Sequence, residues 1–186
     1  MQPTTHRVES SLIPAGPFVA LDFETADYGS DSACALALVR VEGSTIVARQ
    51  SCLIRPPRMS FTFSYIHGIT WRHVKDQPVF ADLWPSMAGL LNGAAFVAAH
   101  NAGFDRNVLR TCCERAQLPI PANPFVCTVR ISRKTWKLRS AKLPDVCRHL
   151  GLPLRHHDAA SDAEACARIV IAARESLQPS AQLTIA

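Results

Sequence analysis

The sequence predicts a three-layer α/β domain built on a mixed sheet. Three observations carry that reading. Apolar runs of strand length alternate with stretches of helical spacing, in the order β-β-β-α-β-α-β-α-α. Two consecutive runs, 32–41 and 44–54, are separated only by Glu42-Gly43 and should pair as an antiparallel hairpin. The chain has 186 residues, 48% of them hydrophobic and 19% charged, which suits one domain with a sizeable core and argues against disorder.

Residues 1–15 read as a mobile lead-in, 16–178 as the domain and 179–186 as a flexible end. "PFVALDF" (17–23) is apolar on both faces and should be a central strand. The hairpin follows, and "RPP" (55–57) stops its second strand. "FADLWPSMAGLL" (80–91) has helical spacing, with Pro85 tolerable only near its start and Gly93 as the stop. "AAFVAAH" (94–100) is a fourth strand, "DRNVLRTCCERAQL" (105–118) a helix, and "FVCT" (125–128) a short fifth strand. A basic helical stretch leads into a short helix closed at Gly151. The last helix should run from Asp158 or Ser161 to Ser176. Ser161-x-x-Glu164 has the form of a capping box, and Ala165, Ile169, Ala172 and Ala173 form a core stripe.

Composition bounds the function. The apolar runs are far short of a membrane span, and the N-terminus has no apolar signal core, so a cytoplasmic protein is expected. Seven cysteines without a CxxC pair suit reduced, buried small residues rather than a zinc or redox site. The net charge of +5 suggests an anionic partner. Arg130, Arg133, Lys134, Lys137, Arg139 and Lys142 follow one another with no acid among them. That is either a solvated face or a track for phosphates.

The acids carry the chemistry. In "DFET", Asp22 and Glu24 sit two apart on the first strand and so point to one face at its C-terminal end, where open α/β sheets build ligand sites. Two carboxylates so close repel unless a cation lies between them, and hard cations such as Mg²⁺ or Mn²⁺ prefer oxygen ligands. Asp105 in "HNAGFD" and Asp162 after "HHDAAS" stand at helix starts that can meet the same point. Each alone is ordinary helix-dipole compensation; four such acids in one domain are not. His156 and His157 precede Asp162 closely, and a neutral histidine there can take a proton from water.

"DFET", "HGIT", "HNAGFD" and "HDAASD" occur in the order and spacing of the DEDDh 3′–5′ exonucleases, the family of the proofreading ε subunit of bacterial DNA polymerase III. The chain resembles that family over about residues 17–175, most of all its stand-alone bacterial members. The resemblance implies a ribonuclease H-like fold with a five-stranded mixed sheet, and metal-dependent hydrolysis from a 3′ end releasing 5′-nucleotides. It implies that Asp22, Glu24, Asp105 and Asp162 hold two divalent cations, Mg²⁺ or Mn²⁺, about 4 Å apart. His157 is then the general base, because it stands five residues before Asp162. "YIHGIT" (65–70) matches a segment that lies against the 3′-terminal nucleotide, so His67 and Ile69 are candidate contacts. Thr25 and Phe104 flank acids and are candidates too, Phe104 as a stacking ring or as core. Asn101 is a further candidate, more as a buttress of its loop.

The expected partner is nucleic acid with a free 3′ end, single-stranded DNA ahead of RNA, with no membrane. One departure stands out: the ε-like pattern reads "DTETTG" where this chain reads "DFETAD", so Ala26 and Asp27 change the loop over the nucleotide. The chain also ends at Ala186, which leaves little room after Asp162 for a polymerase-engaging segment. A non-catalytic binding module on the same scaffold would be expected to have lost an acid, and none is lost.

Overall fold

A computed structural model describes residues 12–177. Five strands form one mixed sheet in the order β3-β2-β1-β4-β5. They are β1 (Phe18–Thr25), β2 (Ala33–Glu42), β3 (Thr45–Leu53), β4 (Phe96–Ala99) and β5 (Phe125–Cys127). The hairpin is as expected: β2 runs antiparallel to β1 and to β3. β4 is parallel to β1, and β5 to β4. β1 is central, and only Asp22 interrupts its burial.

The helices are α1 (Ser64–His67), α2 (Trp71–Val74), α3 (Phe80–Met87), α4 (Gly103–Ala116), α5 (Thr128–Trp136), α6 (Leu143–Leu150) and α7 (Ala159–Leu177). They cover both faces of the sheet. Ala20, Ala35, Ala37 and Ala98 of the sheet share one cluster with Ala163, Cys166, Ile169 and Val170 of α7. Small residues on both sides let helix and sheet approach closely. The other face packs Leu21, Leu36, Leu38 and Val97 against Trp84, Met87 and Leu109 of α3 and α4.

Several expectations need correction. α3 does not continue to residue 91: Pro85 lies inside it, removing a backbone donor, and Ala88–Leu91 tighten into a 3-10 turn. α4 begins at Gly103, two residues early, and β4 is shorter than its apolar run. The buried face of α7 is wider than four residues, because Ala163, Cys166, Ala167 and Val170 join it while Ala172 is only half-buried. Ser161 is no cap. It sits within the first turn, where its N–H donates to Asp158 Oδ1 at 3.0 Å, so Asp158 caps the helix. Glu164 turns instead to Arg49 and Arg168. The short helices α1 and α2 were not foreseen, since four residues show no periodicity.

The expected mobile ends lie largely outside the described residues, but 12–15 are held. Ile13 is buried, and Arg174 donates to the carbonyls of Pro14 and Gly16 at 2.7 and 2.8 Å. Its guanidinium also covers the stacked rings of Phe18 and Phe96. All seven cysteines are free thiols, most of them buried. No helix among the described residues is long and apolar enough to cross a membrane.

Candidate active site

The site forms where the sheet opens. β1 pairs with β4 only from Phe18 to Ala20, but with β2 along its whole length. Beyond Ala20 the β4 side is therefore free, and the first turn of α4 fills it. There Asp105, 1% exposed, accepts the Phe23 N–H through Oδ1 at 3.2 Å. Asp22 and Glu24 project from β1 on one face, as their spacing required. One carboxylate oxygen from each and one from Asp162 lie within 4.8 Å of one another. The four acids thus come from one strand and two helix starts.

Two oxygens in this cluster are orphans. Asp105 Oδ2 and Asp162 Oδ1 are buried and have no hydrogen-bond partner. A buried unpartnered carboxylate oxygen is costly, and a hard divalent cation relieves the cost. The cluster electrostatics agree. Burial, then Asp105, Asp162 and Glu24, hold Asp22 well above the usual carboxylate range. Burial, then Asp162 and Asp105, push Glu24 up to about 8. Burial alone pushes Asp105 up to about 7, against the pull of the Phe23 N–H. Asp162 is raised by burial, and the His157 N–H and His156 counter it. A set of oxygen donors that crowd and disfavour their own charge fits Mg²⁺ or Mn²⁺.

The two histidines divide. His156 Nδ1 lies 2.9 Å from Asp162 Oδ2, a contact that engages that nitrogen. His157 gives Asp162 only its backbone N–H, at 3.1 Å. The backbone is left-handed (φ 68°), and the ring lines the cavity stacked on His156 at 3.8 Å, with a nitrogen within 4.8 Å of an Asp162 oxygen. Burial and the neighbouring His156 lower the His157 pKa, so the ring is neutral at neutral pH.

Asp22, Glu24 and Asp162 open into a cavity of about 910 Å³, whose lining does not include Asp105. Thr25, His67, Asn101 and Phe104 line it with them; Ile69 does not. Ile69 faces an adjoining hollow of about 420 Å³, with His67 and His157, and packs on the core. Phe104 is 44% exposed and lines the cavity. His67 uses both ring nitrogens: Nε2 lies 3.1 Å from the Thr25 carbonyl and Nδ1 accepts the Ile69 N–H at 3.0 Å. Asn101 works through its backbone, adopting φ 65° and accepting the Phe104 N–H at 2.9 Å.

The sequence reading missed Phe63 and Ile66, which form one wall with His67. Only their place beside "HGIT" could have flagged them. It also missed His100, whose Nδ1 lies 2.8 Å from Thr128 Oγ1 and whose burial pulls its pKa down to about 4. The basic stretch splits across α5, a left-handed Lys137 and the entry to α6. Arg133, Arg139 and Lys142 reach the cavity, and none is in an ion pair among the described residues.

Comparison with known proteins agrees with the geometry. The family model described as Exonuclease matches residues 19–170. The chain is similar to the PolC-type DNA polymerase III of Thermotoga maritima, 33% identical over 167 residues, which are 88% of this chain and 12% of that one. It thus spans about an eighth of that relative's length. Among solved structures it resembles Exonuclease X in complex with 5′-overhanging duplex DNA, with TM-score 0.71, 27% identity and coverage of 86% and 92% of the two chains. The nuclease domain of 3′hExo bound to rAMP, itself a DEDDh family member, shares the fold at TM-score 0.74 and 17% identity, with coverage of 86% and 92%. The family model covers most of the chain, which belongs to the exonuclease family.

Proposed function

We propose that this chain hydrolyses phosphodiester bonds one nucleotide at a time from the 3′ end of single-stranded DNA. The observation that carries the reading is the group of Asp22, Glu24 and Asp162 oxygens within 4.8 Å of one another, with buried oxygens of Asp162 and Asp105 left unpartnered. These four residues would hold two divalent cations, which when bound supply the positive charge that grips a scissile phosphate and make a nearby water more acidic.

The residues divide the remaining work. His157, neutral at the ring, takes the proton from the attacking water. His156 orients Asp162 through Nδ1. The wall formed by Phe63, Ile66 and His67 receives the terminal nucleotide, and the ring of Phe104 stacks on a base. Arg133, Arg139 and Lys142 meet the phosphates of the strand leading in. DNA is favoured because the cited polymerase relative and the Exonuclease X complex concern DNA. The rAMP in the 3′hExo structure keeps RNA as the second substrate.

A time course on 5′-labelled and 3′-labelled single-stranded DNA, with an RNA twin, in Mn²⁺, Mg²⁺ and EDTA tests this. A descending ladder on the 5′-labelled DNA, absent in EDTA and faster than on RNA, is expected. Binding of the strand with no nucleotide released in either metal would overturn it in favour of a binding module.

A further inference from the structure

We propose that Arg58 is a positioning residue for this reaction: it clamps Asp27 and Asp31 and so fixes the α1 wall of the cavity against the end of β1. The proposal rests on the reading of that wall as the seat of the terminal nucleotide.

The clamp is built from the loop where this sequence departs from the ε-like pattern. Arg58 Nε and Nη2 donate to the two oxygens of Asp27 at 3.0 and 2.9 Å. Nη1 and Nη2 donate to the two oxygens of Asp31 at 2.9 and 2.7 Å. One guanidinium thus makes two forked pairs. Exposed ion pairs contribute little, but these carboxylates are only 12% and 7% exposed. Forked Arg–carboxylate pairs also fix geometry as well as adding energy. Arg58 holds the Asp27 carboxyl down at about 2, and a second cation, Arg115, meets Asp31 at 3.0 Å.

Gly29 shows how closely the clamp is packed. Its N–H donates to Asp27 Oδ1 at 2.8 Å. A Cβ built on Gly29 would fall on Arg58 Nη2 and crowd Asp31 Oδ1. The guanidinium therefore occupies the space a side chain at residue 29 would need.

The clamp matters because of what lies on either side of it. Residues 55–63 contain no strand or helix, so no regular hydrogen bonding fixes the approach to α1. Two polar contacts join α1 to the end of β1: the Phe63 N–H donates to the Ala26 carbonyl at 3.1 Å, and His67 Nε2 meets the Thr25 carbonyl. The Tyr28 ring stands edge-on to Phe63 at 4.8 Å. Both polar contacts reach the two residues after Glu24, a carboxylate of the cluster. Phe61 of the irregular segment packs against the small cluster of Ala26, Cys34 and Val74, and Arg58 adds the charged tie to the same loop, so losing the clamp should loosen the register of α1 on the acids.

Three variants test this: Arg58→Gln, Gly29→Ala, which displaces the guanidinium without changing a charge, and Arg58→Lys. Measured are KM and kcat on 5′-labelled single-stranded DNA in Mn²⁺, the melting temperature, and amide exchange at Phe63, Ile66 and Gly68. Arg58→Gln and Gly29→Ala should raise KM about tenfold or more, the scale of losing a positioned wall, with kcat little changed. Arg58→Lys should recover part of the loss. Exchange at the three α1 amides should accelerate while that of β1 does not. Unchanged KM in both disrupting variants, with an active wild type, would overturn the proposal. So would a KM that rises only in step with loss of folded protein in both. If the wild type releases no nucleotide, the functional reading fails instead, and unchanged α1 exchange in Gly29→Ala would still overturn the clamp.

Discussion

Two groups of carboxylates meet around the end of β1 and solve the same problem in opposite ways. Asp27 and Asp31 share Arg58, which holds both pKa values below the usual range. Asp22, Glu24, Asp105 and Asp162 have no cationic side chain among them beyond the histidines, and all four are raised. Both are largely covered, though burial leads the shift only in the second group, and at Asp27 and Asp31 it yields to Arg58. The difference is whether the fold supplies the counter-charge. Where it does, the acids are structural. Where it withholds it and leaves oxygens unpartnered, the acids await a ligand.

The largest effect should come from breaking the cluster that lacks a cation. Asp105→Ala should abolish nucleotide release while the circular dichroism spectrum stays native; activity within threefold of wild type would contradict the assignment. Asp105→Asn should also fail, yet melt no lower than wild type in EDTA, because it removes one of four repelling charges.

His157→Ala should lose about 10²–10⁴-fold in kcat, the scale of a general base. His156→Ala should lose less, since it removes an orienting bond. A larger loss at His156 would reverse their roles. The wild-type rate should rise with pH through the titration of His157, and that rise should fall below pH 6.5, because burial and His156 lower its pKa.

The contrast has a pH signature. In the metal-free protein Glu24 and Asp105 bind protons more tightly folded than unfolded, at about 8 and about 7. Their contribution to stability is therefore present at acid pH and lost as pH rises from the unfolded carboxylate range towards 8. Asp27 has the opposite sign: its contribution is present above the unfolded value and lost as pH falls towards 2. Melting in EDTA from pH 3 to 8 should show both limbs, and adding Mn²⁺ should flatten only the alkaline one.

Arg133→Ala, Arg139→Ala and Lys142→Ala should have the smallest effects. Each should raise KM a few-fold and lower the salt dependence of binding by roughly one counterion.

Much of the fold and the acid cluster could be read from residues. β1 announces itself because "FVAL" is buried on both faces, and Asp22 and Glu24 are legible because strands alternate with period two. Asp105 and Asp162 were legible through motif spacing, not local pattern. What stayed hidden depends on side chains meeting over long separations. Arg58 lies 31 residues from Asp27, and nothing in "RPPRMS" marks it as their partner. Phe63 precedes, and Ile66 sits on, a helix too short to have a period. Ser161-x-x-Glu164 had the form of a cap, but Asp158 outcompeted Ser161 because it stands one turn earlier.

The most direct test of the central claim, that the fold withholds a cation from one cluster so that metal can supply it, is a Mn²⁺ titration followed by melting temperature. Wild type, Asp105→Asn and Arg58→Gln would be compared at pH 7.5. The account predicts a saturable rise in wild type and in Arg58→Gln, and a loss of that rise in Asp105→Asn. No rise in wild type, or an equal rise in all three, would contradict it.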